Sequence, residues 1–260
     1  MQAQLVLRTS RAVQLTEMGL LLHRRGAPAL ASLDDVRRAV QERTESPKGP
    51  LRLSAPNDLA TAHLGPLLGE FITTHPEVDV TLDASNEFVD LISQGFDVAL
   101  RIHATPLASV TSLRARKLTA LSRGLYASPD YLEQHGRPRR PDDLVKHACL
   151  TITASARQWR MSKVRGGGRK DVSLTPSLVS SDHHTLKQAA EAGAGIANLP
   201  SFIGDVGVCD ECLVRVLPGW TMDPSTLSIV WPTTHHTSPR IRAFVDAAAA
   251  YFKPPPWVRG

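Results

Sequence analysis

The chain has 260 residues, of which 42% are hydrophobic and 21% charged, and its formal net charge is +5. This length allows one or two domains with real cores. No apolar run reaches the roughly 18 residues that a membrane-spanning helix needs. The small basic excess permits a nucleic-acid partner without requiring one.

The first eight residues and the cysteine count both bear on location. Residues 1–8 have no basic stretch followed by an apolar one, so they do not resemble a secretory signal. The cysteines are Cys149, Cys209 and Cys212, an odd and sparse set that gives no disulfide framework. We therefore expect a cytoplasmic location, which counts against an exported solute-binding protein.

Residues 1–47 predict a short irregular start followed by a long helix. The helix runs from Thr16, a plausible N-cap, to about Arg43. An apolar stripe at residues 30–40 has helical spacing and favours packing against a partner helix. Pro28 interrupts the helix and predicts a kink.

From residue 51, strands and helices alternate. This order predicts a β-α-β-α-β unit, whose parallel sheet has helices on both faces. We predict, in order, a strand at 51–54, a helix at 58–74, a strand at 78–82, a short helix at 87–94 ended by Gly95, a strand at 97–102 and a long strand at 113–127.

The second half predicts a similar unit, and the last strand and helix can return to the first. Two such units joined by two crossing strands form a cleft, and ligands bind in such clefts. We predict helices at 130–135, from 141, at 184–192 and at 239–252, strands at 149–152, 172–179, 195–200, 213–217 and 227–231, and a hairpin tip at 164–170.

Six segments carry a family resemblance. In this order and spacing they resemble LysR-type transcriptional regulators, and the resemblance extends from Leu5 onward. The segments are Leu7–Gly19 (LRTSRAVQLTEMG), Phe71–Val78 (FITTHPEV), Val89–Ile102 (VDLISQGFDVALRI), Tyr126–Gly136 (YASPDYLEQHG), Ala192–Pro200 (AGAGIANLP) and Ser238–Asp246 (SPRIRAFVD).

The resemblance implies an α/β fold of two Rossmann-like lobes with a ligand cleft, similar to type II periplasmic binding proteins. A linker helix and a remnant of a winged helix-turn-helix would precede it. The implied domains are the wing remnant at 1–15, the linker helix at 16–47, effector-binding lobe I at 48–127 with 226–260, and effector-binding lobe II at 128–225.

DNA binding is the first activity that the resemblance implies. The second helix of such a unit enters the major groove, and this chain begins at or just before the wing, so we expect the DNA-reading helices to be missing. Four residues resemble wing residues that would contact phosphates: Arg8, Thr9, Ser10 and Arg11. The alternative is a solvated tail.

The ends of the predicted strands supply candidates for a ligand cleft. Backbone N–H groups at a helix start, such as the one after residues 54–58, attract anions. Helix capping is the alternative role for Asn57, Asp58 and Asp182, and a structural ion pair is the alternative for Arg101. The resemblance implies that the effector contacts Ser54, Asn57, Asp58, Arg101, Ile102, His103, Asp182, Gly195 and Ile196.

A metal site and a catalytic site are not expected. Cys209 and Cys212 with the histidine pairs at 183–184 and 235–236 suggest zinc, but a single Cys-x-x-Cys and scattered histidines do not make a four-ligand site. No Ser-His-Asp arrangement, phosphate loop or dinucleotide fingerprint is evident. We expect no cofactor and no enzyme activity.

These observations predict a ligand-responsive transcription regulator. A small-molecule effector of unknown identity would bias the orientation of the lobes, and dimer contacts would pass that bias to the DNA-binding units. The expected partners are double-stranded DNA for a full-length protein and further copies of the chain, as a dimer or tetramer, with no membrane. The first alternative is an effector-binding module without DNA binding, which sequesters effector or joins a mixed dimer. The second is an enzyme on the same fold.

Overall fold

A computed structural model describes residues 5–8, 13–20, 22, 46–86, 90–105, 112–153, 157–233 and 238–258. The strands are β1 (Val6–Arg8), β2 (Val13–Leu15), β3 (Gly49–Ala55), β4 (Val78–Ala84), β5 (Val98–His103), β6 (Leu113–Leu121), β7 (Arg123–Ala127), β8 (Cys149–Thr151), β9 (Gln158–Lys163), β10 (Arg169–Ser173), β11 (Pro176–Val179), β12 (Ile196–Pro200), β13 (Val214–Val216), β14 (Trp220–Met222) and β15 (Ser225–Pro232).

The helices alternate with these strands. They are α1 (Asn57–Leu59), which continues through π-helical Ala60–Leu64 into α2 (Gly65–Thr74), then α3 (Pro129–His135), α4 (His183–Glu191), α5 (Ser201–Cys209) and α6 (Pro239–Tyr251), with 3-10 turns at Pro141–Lys146 and Pro256–Val258. None of the helices in the described ranges is long and apolar enough to cross a membrane.

The N-terminal residues form a small antiparallel pair, β1 with β2, followed by the start of a helix at Glu17. The Gly19 N–H donates to Oγ1 of Thr16 at 3.0 Å, which confirms Thr16 as the predicted N-cap. The rest of the predicted linker helix, with Pro28, lies outside the described residues apart from Leu22 and residues beyond 45.

The first five-stranded sheet has the order β4-β3-β5-β15-β6. Strand β3 runs parallel to β4 and β5, whereas β15 runs antiparallel to β5 and β6. Helices α2 and α6 cover its core, where the rings of Phe71 and Phe244 meet edge to face at 5.2 Å. The last strand and helix therefore return to the first unit, as the order of elements predicted.

The second five-stranded sheet has the order β11-β8-β12-β7-β13. Strands β11, β8 and β12 are parallel, and β7 lies antiparallel between β12 and β13. A smaller antiparallel sheet, β10-β9-β14, packs Trp159 and Met161 into the core beside it. The predicted fold class, α/β with two units, is confirmed.

The long strand predicted at 113–127 is wrong as a single strand. Strand β6 belongs to the first sheet and β7 to the second, and the chain crosses between them at Ser122. Ser122 Oγ donates to Oγ of Ser201 at 2.8 Å, and the Ser201 N–H donates to the Ser122 carbonyl. The crossing is therefore tied to the start of α5. The predicted lobe boundary after residue 127 stays a prediction.

Three further local predictions differ from the structure. The strand predicted at 172–179 is two strands, β10 and β11, in different sheets. In the short helix predicted at 87–94, residues 87–89 lie outside the described ranges and residues 91–95 form turns, in which Asp90 Oδ1 accepts the N–H groups of Ile92 and Ser93. Helix α5 was not predicted, since its two glycines lower its intrinsic helix propensity.

Candidate functional site

A cavity of about 330 Å³ lies between the two five-stranded sheets. It opens at the carboxyl ends of β3, β5 and β12 and beside the crossing at Ser122. Both sheets contribute to its wall, as expected where parallel strands end. The lining residues are Pro56, Asp58, Ser85, Asn86, Arg101, Ile102, His103, Ala104, Leu121, Arg123, His183, Pro200 and Ser225.

A buried carboxylate–imidazole contact crosses this cavity. Asp58 lies in α1, directly after β3, and His183 is the first residue of α4, after β11. His183 Nδ1 lies 2.6 Å from Asp58 Oδ2, and the His183 backbone N–H donates to Oδ1 at 3.3 Å. Both side chains are less than 10% exposed. The contact therefore joins the first sheet to the second in a place that water hardly reaches.

Arg123 extends this contact into the second sheet. Because Nδ1 of His183 donates to Asp58, its Nε2 is left as an acceptor, and Arg123 Nη2 donates to it at 3.1 Å. Arg123 also donates from Nε to Asn198 Oδ1 at 3.1 Å. Burial lowers the pKa of Arg123, and the charge of Asp58 opposes that shift. A neutral imidazole thus lies between an acid and a base whose charges balance.

Arg101 supplies a second cation from β5. Its Nη1 and Nη2 both lie 3.3 Å from Ser54 Oγ, and Nη1 also donates to the Leu100 carbonyl at 3.1 Å. Burial lowers its pKa. Within the described ranges we find no carboxylate paired with Arg101, so the alternative role of a structural ion pair has no support there.

A second polar bridge runs beside the cavity. Asn57 Nδ2 donates to Asp182 Oδ2 at 3.2 Å, and Asn86 Nδ2 donates to the Ser181 carbonyl at 3.0 Å. The other oxygen of Asp182 accepts the Thr185 N–H at 2.7 Å, so Asp182 is the N-cap of α4. Burial would raise the pKa of Asp182, but hydrogen bonds from Thr185 and Asn57 outweigh it and lower the pKa.

Helix capping was the alternative role for three predicted site residues, and it holds for one. Asp182 caps α4, whereas no side chain caps α1. Asn57 and Asp58 instead reach across to the second sheet.

His103 closes one side of the cavity. Its Nδ1 lies 2.7 Å from the Thr105 carbonyl and therefore carries the proton. Its Nε2 lies 2.9 Å from the Ser228 hydroxyl, which can donate or accept a hydrogen bond. Both ring nitrogens thus have protein partners.

The structure brings most of the predicted effector residues to one place. Asp58, Arg101, Ile102 and His103 line the cavity. Ser54 contacts Arg101, and Asn57 and Asp182 form the bridge beside the cavity.

Gly195 and Ile196 lie elsewhere. The cavity is lined by Pro200, at the far end of β12 from Ile196. Five residues of strand span roughly 13 Å at 3.3 Å per residue. Gly195 has φ +150°, and a Cβ added to it would lie 2.4 Å from the Ala148 carbonyl oxygen, which explains the glycine without a ligand. Their predicted contact with the effector thus has no support in the cavity geometry.

Of the predicted DNA-contacting residues, Arg8 ends β1. The other three, Thr9, Ser10 and Arg11, lie outside the described residues.

Several lining residues were missed by the sequence analysis. Arg123 fell inside the supposed long strand, and His183 was weighed only as a zinc ligand. In the described part of the chain, no group of three or more His, Cys, Asp and Glu side chains is placed to hold a metal ion. Cys209 and Cys212 lie exposed at the end of α5, and residues 235–236 lie outside the described ranges.

Known proteins resemble this chain over most of its length. The family described as LysR substrate binding domain matches residues 44–253. An HTH-type transcriptional regulator from Xanthomonas campestris is 32% identical over 250 residues, which are 94% of this chain and 71% of that protein. The uncharacterized HTH-type transcriptional regulator YhjC from Escherichia coli is 31% identical, over 96% of this chain and 83% of that protein.

Solved structures of LysR-type regulators also resemble this chain. Full-length AphB, a virulence activator of Vibrio cholerae and a member of the LTTR family, has a TM-score of 0.70 at 26% identity, covering 95% of this chain and 84% of that chain. The regulatory domain of CrgA, a LysR-type transcriptional regulator from Neisseria meningitidis, has a TM-score of 0.68 at 27% identity, over 78% and 98%. This chain belongs to the family of LysR-type transcriptional regulators and contains their effector-binding domain.

Proposed function

We propose that the cavity between the two sheets is the site where this regulator binds its small-molecule effector. The observation that carries the proposal is that both sheets line one cavity and that the Asp58–His183 contact crosses it. A ligand in this place touches both sides at once. It shifts their relative orientation to the extent that it binds one orientation more tightly than the other.

Binding rather than catalysis fits the chemistry of the cavity. A carboxylate–imidazole pair activates a nucleophile only if the free ring nitrogen faces a hydroxyl or thiol. Here Nε2 of His183 faces the Arg123 guanidinium, which does not deprotonate at neutral pH and so cannot act as a nucleophile. The relatives, too, carry the names of transcriptional regulators.

A panel of metabolites tests the effector site by thermal unfolding. Ser225 lines the cavity at the start of β15, and Ser225→Trp would fill it. Ser173 is an exposed strand residue, so Ser173→Trp is the matched control. We expect effector compounds to raise the Tm of the wild type and of Ser173→Trp but not of Ser225→Trp. Equal stabilisation of all three proteins would place the binding site elsewhere.

We also propose that the regulator, as a full-length protein with a winged helix-turn-helix, binds double-stranded DNA and that Arg8, Thr9, Ser10 and Arg11 contact phosphates. Such a role places it in the cytoplasm. DNA binding by this chain across a salt series tests the proposal, because affinity from several phosphate contacts falls steeply as salt rises. Salt-insensitive or absent binding would favour an effector-binding module that does not grip DNA.

A homo-oligomer, dimer or tetramer, completes the proposal. Ile72 on α2 and Val206 on α5 are 46% and 52% exposed. Burying such side chains against another copy is favourable, at roughly 25 cal/mol per Å² of apolar surface. Sedimentation of the wild type and of an Ile72→Asp, Val206→Asp double variant tests it, and an unchanged mass for the variant would exclude these two positions from the interface.

A further inference from the structure

Among the described lining side chains, the cations outnumber the carboxylates. Three lining residues are formally charged at neutral pH: Asp58, Arg101 and Arg123. His183 uses Nδ1 as a donor and Nε2 as an acceptor, which is the arrangement of neutral imidazole. The described lining residues thus give two positive charges and one negative charge, and the Asp182 carboxylate beside the cavity is already held by Asn57 and Thr185.

The carboxylate of Asp58 is linked through His183 to Arg123. Asp58 takes two hydrogen bonds from His183, and His183 in turn accepts from Arg123. Its carboxylate also acts electrostatically on Arg123. Within the described residues, Arg101 donates to the Ser54 hydroxyl and to the Leu100 carbonyl, which are neutral acceptors. Among the described lining residues, Arg101 is thus the cation that has no carboxylate partner.

A desolvated cation without a counter-charge is costly, and a bound anion removes that cost. The planar guanidinium of arginine matches a carboxylate with two parallel hydrogen bonds. Both Nη atoms of Arg101 share one hydroxyl at the long distance of 3.3 Å, so their present bonds are weak and replaceable.

The rest of the wall limits the size and polarity of the ligand. Pro56, Ile102, Leu121 and Pro200 provide apolar surface. The volume of about 330 Å³ lies at the low end for small-molecule sites, which begin at roughly 300 Å³. The cavity therefore suits a small molecule with one charged end and a compact apolar body.

We propose that the effector is a small monoanion, a carboxylate with an apolar body, whose carboxylate pairs with Arg101. This inference rests on the proposed effector site and adds the chemical class of the ligand. It also makes Arg101 the residue that distinguishes acids from their neutral analogues.

Titration calorimetry with four phenyl compounds of similar size tests whether the effector is a carboxylate. The probes are phenylacetate, phenylacetamide, phenethylammonium and phenyl phosphate, at equal ionic strength. We expect phenylacetate to bind most tightly, because it is the only probe that supplies one planar carboxylate. Tighter binding of the amide, the amine or the phosphate, or binding of none of the four, would overturn the proposal.

Three variants test the residue. Arg101→Gln should weaken the binding of phenylacetate by at least about tenfold, since a charge-assisted pair is lost. It should also remove the preference for phenylacetate over phenylacetamide. Arg101→Lys should retain part of the preference as a point charge. Arg137, which is exposed, gives the control Arg137→Gln with unchanged binding. An acid preference that survives in Arg101→Gln would overturn the assignment.

The Ser225→Trp variant separates the two proposals. If a neutral or cationic probe binds and Ser225→Trp abolishes that binding, the effector site stands and the monoanion proposal fails. If phenylacetate binds equally to wild type, Arg101→Gln and Ser225→Trp, the proposed effector site fails as well.

Discussion

Nδ1 of His183 lies 2.6 Å from Oδ2 of Asp58, although 125 residues separate them in the chain. Each residue follows a strand of a different sheet, so the contact exists only when both sheets are folded and apposed. Arg123 completes the arrangement from the point where the chain crosses between the sheets. Asp58, His183 and Arg123 thus form a polar connection between the two sheets at the cavity.

Replacing Asp58 should therefore lower the free energy of unfolding. Asp58→Ala leaves His183 without its acceptor and Arg123 without a nearby negative charge, and losing hydrogen bonds to a charged group costs about 1.5–3 kcal/mol. We expect a loss of that order in the free energy of unfolding, measured by urea titration. Asp79→Ala, at an exposed strand position, is the control and should change stability by less than about 0.5 kcal/mol. Equal effects of the two substitutions would show that the contact contributes little.

Asp182 should make stability depend on pH in the acid range. Its pKa is lowered in the folded state by hydrogen bonds from Thr185 and Asn57, which outweigh burial. A carboxyl group with a lowered folded pKa stabilises the protein above its unfolded pKa of about 3.9, and this contribution is lost as pH falls through the folded value.

The variant Asp182→Asn removes that charge, and its single side-chain oxygen can still accept the Thr185 N–H as an N-cap, although its NH2 group cannot accept the Asn57 hydrogen bond. We expect it to be less stable than the wild type at pH 7, and the difference to shrink as the pH falls below about 4. Thermal unfolding at several pH values measures this. A stability difference that stays constant over the range would contradict the role of the carboxylate charge.

The three cysteines should react very differently with thiol reagents. Burial raises the pKa of Cys149 to about 12, and its Sγ lies 3.7 Å from the Leu144 carbonyl. Because the thiolate is the reactive form, Cys149 should resist alkylation at pH 8 while the protein is folded. Cys209 and Cys212 are exposed and should react at once. Peptide mass mapping after a short iodoacetamide pulse measures the pattern, and alkylated Cys149 in native protein would contradict the described packing.

Two glycines in helices should respond to alanine with opposite signs. A Cβ on Gly204 in α5 would lie 2.4 Å from the ring of Tyr126, which is fully buried, so Gly204→Ala should destabilise the protein by about 1–3 kcal/mol. Gly69 in α2 has no atom within 4 Å of such a Cβ, and Gly69→Ala should stabilise by about 0.5–1 kcal/mol. Chemical denaturation of both variants measures the contrast. If Gly204→Ala proved as stable as the wild type, α5 would not pack on Tyr126 as described.

The sequence predicted the elements whose signal is local. The strands at 49–55 and 78–84 were found because apolar residues alternate and turn residues bound them, and the helix ending at Thr74 was found because His75-Pro76 stops it. The crossing at Ser122 was missed, because strand propensity continues through residues 121 and 123. Which sheet a strand joins depends on distant partners, and no local pattern records that.

The same distinction applies to the site. Asp58 was found because it follows a strand, and Arg101 and His103 because they lie at the carboxyl end of another, where parallel sheets place ligands. Arg123 and His183 were missed, since their roles depend on each other and on Asp58 across long separations in sequence. Gly195 and Ile196 precede their strand, and the cavity meets its other end.

The most direct test of the effector site is amide hydrogen exchange with and without the compound that stabilises the chain most. We expect protection to increase at residues 54–58, 101–104 and 181–185, which meet at the cavity from both sheets. Protection confined to one sheet, or to segments away from these three, would contradict the claim that the effector binds between them.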